Sequence, residues 1–240
     1  MTEEEWFTEA WPNPMVRHLF KLGYLATDRR FSFFALSCAR AAWPALVDER
    51  SRHAVDVAER YLVGLAIEAE FDRAKEDSQL VRDATLHLQK SGTESETKDS
   101  NGYPTAYAAA MAAWVAWRAV VGEYHLDMLA KVRDSLAMSG AYYPDWTQIR
   151  PLVLGLSHVV RDIFGNPFRP GAVDAAWLTS TVVQLARGIY EDRAFDRMPI
   201  LADALQDAGC DNDDVLSHCR DESATHVRGC WVVDLLLGKT

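Results

Sequence analysis

The sequence predicts an all-α fold, a single compact domain of about ten helices across residues 1–240. Three observations lead there. Apolar residues recur at spacings of three and four through most of the chain, the period of a helix with one buried face. Alternating apolar and polar runs, Asn-Gly hairpin signals and Val/Ile/Thr-rich stretches are nearly absent. A chain of 240 residues that is 49% hydrophobic and 25% charged carries enough apolar side chain to bury a generous core.

Element by element, Thr2 and Glu5 are spaced as a capping box that opens a short acidic helix with Trp6 on its inner side. Pro14 suits the first turn of a second helix ending near Leu25. Thr27 and Asp28 cap the third, whose stripe is Phe31, Phe34, Ala35, Cys38 and Ala42, and Pro44 stops it. From Asp48 to Gly64 the pattern is amphipathic, with Asp48/Arg52 and Asp56/Arg60 one turn apart and Val55, Ala58 and Leu62 inward. A further helix from about Ala66 to Lys90 carries Phe71, Leu80, Leu86 and Leu88 as its apolar positions.

The composition then changes. Residues 92–102, GTESETKDSNG, have no apolar side chain and read as a mobile polar loop between two sub-layers, 1–91 and 103–240. Pro104 to Val121 is apolar nearly all round and is expected as the central helix, followed by Tyr124 to Met138. The remaining helices are expected at Thr147 to Phe164, Ser180 to Arg193, Asp196 to Ala208, Asp211 to Cys219 and Val227 to Leu237. No internal repeat of fixed period is present.

Charge and composition narrow the partners. Thirty-five acidic against twenty-five basic residues give a net charge of -10, which disfavours nucleic acid; Arg29, Arg30 and Arg40 would have to act against that background. The longest apolar stretch, Tyr103 to Val121, carries Arg118 and falls short of the roughly 20 strongly apolar residues of a membrane span, so no membrane partner is expected. The acidic start MTEEEWFTEAW lacks the pattern of a secretory signal, and four cysteines fit a reducing, cytoplasmic setting. Ten acidic and three basic residues lie between Glu191 and Glu222, a surplus that could steer a basic protein partner.

Three segments carry a resemblance: IFGNPFRP at 163–170, AFDRMPILADALQDAGC at 194–210 and HVRGCWVVDLLLGK at 226–239. The chain resembles an uncharacterised family of bacterial proteins of planctomycete type. Its Glu-rich opening before Trp6 and the Asp48 to Arg52 run fit the same group. The resemblance implies no reaction, ligand or partner. Members of the group are richer in cysteine and arginine around the positions of Leu36 to Ala41, where this chain keeps Cys38 and Arg40.

Cys210, His218, Cys219, His226 and Cys230 place five soft or borderline metal donors within twenty-one residues. Thiolates and imidazoles suit a tetrahedral zinc site, and His226 and Cys230 are one helical turn apart, but there is no Cys-x-x-Cys knuckle. The expectation is that these thiols and imidazoles pack, with no cofactor and no catalytic residue assigned, and a metal is the alternative. Asp211 to Asp214 with Glu222 imitates a calcium loop, yet Val215 and Leu216 occupy its fifth and sixth positions, so helix capping is expected instead.

Glu123, His125 and Asp127 read as a solvated helix start, because residues two apart on a helix point in nearly opposite directions. His158 reads as a core or rim histidine, Cys38 as core, and Trp114 and Trp117 as core rather than a groove. Arg169 and Arg228 are expected to pin loops to carboxylates or helix-end carbonyls. The function that follows is a non-enzymatic interaction module, an adaptor or inhibitory, immunity-like protein presenting an acidic surface to a protein partner. The alternative is a metal-binding protein or metal-dependent enzyme using the C-terminal Cys/His group.

Overall fold

A computed structural model describes residues 1–91, 114–119, 128, 130–132 and 146–239. The 92–102 loop, most of the expected helices at Pro104 to Val121 and Tyr124 to Met138, and the trio Glu123, His125 and Asp127 lie outside the described residues. The fold is all-α, with no strand among the described residues. Ten α-helices have described bounds: α1 (Glu3–Thr8), α2 (Pro12–Lys21), α3 (Arg29–Ala41), α4 (Glu49–Leu62), α5 (Glu68–Ser91), α6 (Trp146–Phe164), α7 (Ser180–Asp192), α8 (Met198–Asp207), α9 (Asp213–Arg220) and α10 (Trp231–Leu236). No helix among the described residues is long and apolar enough to cross a membrane.

The chain divides into two compact units, residues 9–157 and residues 1–8 with 158–240. In the contiguous unit, α4 packs along α5 and α3 rests on α4. The α3 stripe is buried as its spacing predicts, with Phe31, Phe34, Ala35 and Cys38 at 0% exposure. Asp28 is the N-cap, its carboxylate accepting from Arg30 N at 2.9 Å.

Two expectations here are corrected. Asp48 and Asp56 do not meet the arginines one turn on: Asp48 caps α4 and pairs with Arg50, Arg52 takes Glu49, Arg60 reaches Glu70, and Asp56 joins Arg40. Capping the Arg50 amide sets the Asp48 carboxylate beside the guanidinium of that same residue, which donates Nε to Oδ1 at 3.1 Å and Nη2 to Oδ2 at 2.8 Å, so both oxygens are taken before the arginine one turn along. Leu80, expected on the apolar face of α5, is 61% exposed.

The second unit joins the first eight residues to the last third of the chain. Thr2 and Glu5 form the reciprocal capping box, Glu5 N donating to Thr2 Oγ1 at 3.2 Å and Thr2 N to Glu5 Oε2 at 2.7 Å. Trp6 is fully buried and donates Nε1–H to Gly165 O at 3.0 Å. In the same unit α7, α8 and α9 pack in succession, and α10 lies against α7. Arg228 donates to the Tyr190 and Glu191 carbonyls that end α7, and Arg169 pairs with Glu3 and Asp214, so both arginines pin loops as their sequence positions predict. Asn212 caps α9 through Val215 N at 3.1 Å, the role expected of the Asp211 to Asp214 run.

Candidate metal centre

Three segments of the second unit bring four donors to the same place. Asp162, two residues before the end of α6, is 2% exposed and its carboxylate faces the interior. His218 sits on the last turn of α9. His226 and Cys230 were expected on one helical turn, but the helix begins only at Trp231. Cys230 is its N-cap residue, and a turn from Val227 O to Cys230 N (3.1 Å) brings the two side chains together. Gly229 at φ +91° makes that turn, a conformation that would strain any other residue.

His226 Nδ1 lies 2.7 Å from Asp162 Oδ1, and His218 Nε2 lies 3.2 Å from the same oxygen. His218 Nε2 is also 3.2 Å from Cys230 Sγ, and His226 Nδ1 is 4.0 Å from it. The four donor atoms all fall within 4.8 Å of one another. The second carboxylate oxygen, Asp162 Oδ2, accepts from Val227 N at 2.8 Å, so Oδ1 alone faces the group.

The electrostatics follow from burial. Desolvation alone would raise the Asp162 pKa, but the hydrogen bonds and charge of His218 and His226 hold it below the usual carboxylate range. Burial, and then the neighbouring Asp162 charge, push the Cys230 thiol well above its ordinary value. Cys219 is buried beside the centre but supplies no donor, and burial pushes its thiol up to about 12. Cys210 is likewise buried and outside the group.

Three of the five residues singled out by spacing thus meet, and Asp162 joins them from 64 residues away. Nothing local in sequence marks Asp162. Its one signal is a carboxylate on an apolar helix directly before Ile163 and Phe164, where charge has no reason to be buried without a partner.

A pocket of about 300 Å³ adjoins the centre, with Phe7, Arg161, Asn166, Ser217 and Trp231 among its walls; Asp162 and His218 line it and His226 and Cys230 do not. His158, expected in the core or at its rim, is exposed on the pocket wall. Cys38 is fully buried in the other unit, with desolvation raising its thiol pKa, and it has no part in the site.

The chain matches no protein-family model, no curated protein and no solved structure.

Proposed function

We propose that this protein binds one divalent transition metal, zinc by preference, through Asp162 Oδ1, His218 Nε2, His226 Nδ1 and Cys230 Sγ. The supporting observation is how the imidazoles are aimed. A Cys-His-Asp catalytic triad divides the two ring nitrogens of its histidine, one to the nucleophile and one to the carboxylate. Here His218 turns one nitrogen, Nε2, to both the carboxylate oxygen and the sulfur, and His226 turns Nδ1 the same way. Donors converging on a common point are the arrangement of a coordination sphere. Zinc bonds of about 2.0–2.1 Å to nitrogen and oxygen and 2.3 Å to sulfur put tetrahedral neighbours roughly 3.3–3.6 Å apart, inside the spread of 2.7 to 4.8 Å among these atoms. Four protein donors close the sphere, the mark of a structural ion that ties segments together.

The role supported alongside it is presentation of an acidic surface to a protein partner. Nine of the ten carboxylates between Glu191 and Glu222 are exposed and Asp214 is half-buried, so they are available to a basic partner while the ion steadies the helices that carry them.

The test is metal analysis of the full chain with cobalt substitution. One equivalent of bound metal is expected, with a thiolate-to-cobalt charge-transfer band that is lost in Cys230→Ser and kept in Cys219→Ser. Less than a tenth of an equivalent after zinc loading and dialysis would overturn the reading. For the partner role, capture by basic proteins that weakens steeply with salt is expected, and salt-independent capture would count against it.

A further inference from the structure

We propose that metal loading of this centre fastens the N-terminal helix, so that residues 1–8 form a strap whose release reports an empty site. The inference rests on the metal reading above and adds to it a moving part.

Helix α1 is six residues long with three glutamates, too short to persist on its own in water. Its order comes from its anchors. Arg161 donates Nε and Nη2 to Trp6 O at 3.0 and 2.8 Å, and Trp6 Nε1 donates to Gly165 O at 3.0 Å. Glu3 accepts from Asn166 Nδ2 at 2.6 Å and Arg169 Nε at 2.7 Å.

These anchors are neighbours of the donors. Arg161 immediately precedes Asp162. Gly165 carries the Trp231 ring so closely that a Cβ there would lie 3.1 Å from it, and Trp231 immediately follows Cys230 and packs 5.4 Å from the His218 ring. Trp6 is therefore held by two groups: Arg161, one peptide bond from Asp162, and Gly165, which touches Trp231, the residue bonded to Cys230. An ion that holds Asp162 and Cys230 in a common sphere holds Arg161, Gly165 and Trp231 in register. Without it, those segments keep only their hydrogen bonds and the packing of Trp231 on Gly165, and the strap loosens with them. Phe7, 51% exposed, lines the adjoining pocket, so release of α1 removes part of the pocket wall.

The experiment is amide hydrogen exchange on the full-length protein, zinc-loaded and chelator-stripped, with zinc stoichiometry and affinity measured on the same samples. Protection at residues 1–8 is expected to fall about tenfold on stripping while α3 changes less than twofold. Coupling is reciprocal, so Trp6→Phe, which removes the bond to Gly165, is expected to weaken zinc binding about three- to tenfold. Zinc bound at one equivalent with unchanged protection at residues 1–8 and wild-type affinity in Trp6→Phe would overturn the strap and leave the metal centre standing. Failure to bind zinc at all would overturn both.

Discussion

Trp231 lies directly over Gly171, with no room between them for a side chain: a Cβ at Gly171 would stand 2.6 Å from Cζ3 of the ring. The same indole covers Gly165 and neighbours His218, so two glycines form the bed of a ring that packs against the candidate metal centre.

Gly171→Ala must push that ring aside. A loss of roughly 1–3 kcal/mol is expected, the usual cost of overpacking, together with weaker zinc binding. The control is Gly188→Ala on α7, where nothing lies within 4 Å of the added carbon. In a helix interior that change is expected to raise stability by about 0.5–1 kcal/mol. Urea denaturation of both variants checks the pair, and equal effects would refute the account.

Asp162→Asn places an amide hydrogen pair where Val227 N–H and the imidazoles need an acceptor on each side. The zinc-free protein is expected to lose roughly 1–3 kcal/mol from the unsatisfied groups. The zinc-loaded protein is expected to lose more, because an amide is a far poorer ligand than a carboxylate. Thermal melts with and without zinc measure the difference.

Arg40 on α3 grips Glu59 of α4 with two parallel bonds of 3.0 Å, reaches Asp56, and lies 4.3 Å over the Trp43 ring. A lysine carries the charge but neither the fork nor the flat face. Arg40→Lys is therefore expected to cost about 1–2 kcal/mol, whereas a result within a few tenths of wild type would show that charge alone suffices.

Stability in the contiguous unit should carry an acid signature from Asp28. Burial alone would raise its pKa, but the side-chain and backbone bonds from Arg30 hold it below the usual carboxylate value. The folded state thus favours the charged form. Its contribution is complete above the unfolded pKa and is lost as pH falls through the folded one. Asp28→Ala is expected to cost about 1 kcal/mol at neutral pH, with the gap to wild type closing below about pH 4.

Helical periodicity, the capping box at Thr2 and Glu5, the caps at Asp28 and Asn212, and the pinning roles of Arg169 and Arg228 were all legible in the sequence, because each depends on residues within a turn or on simple charge. The centre was only half legible. His226 and Cys230 are four apart, but the spacing works through a glycine turn rather than a helix, and Asp162 joins from another element altogether. Cys210 and Cys219 sit in the same short stretch and drop out because soft ligands adjacent in sequence need not face one way. Ion-pair partners were the least legible feature, since Arg40, Asp56 and Arg60 choose among several carboxylates or guanidiniums by tertiary position.

The unit holding Asp162, His218, His226 and Cys230 is assembled from residues 1–8 and 158–240, whereas residues 9–157 form a contiguous body. During synthesis the first eight residues leave the ribosome long before the segments that bury Trp6 exist. The contiguous body can take shape first, and Trp6 must wait, exposed, until Gly165 and Arg161 arrive. A lesion that delays or removes residues 158–240 would therefore leave the Trp6 indole without its buried partners on the nascent chain, open to chaperones and proteases.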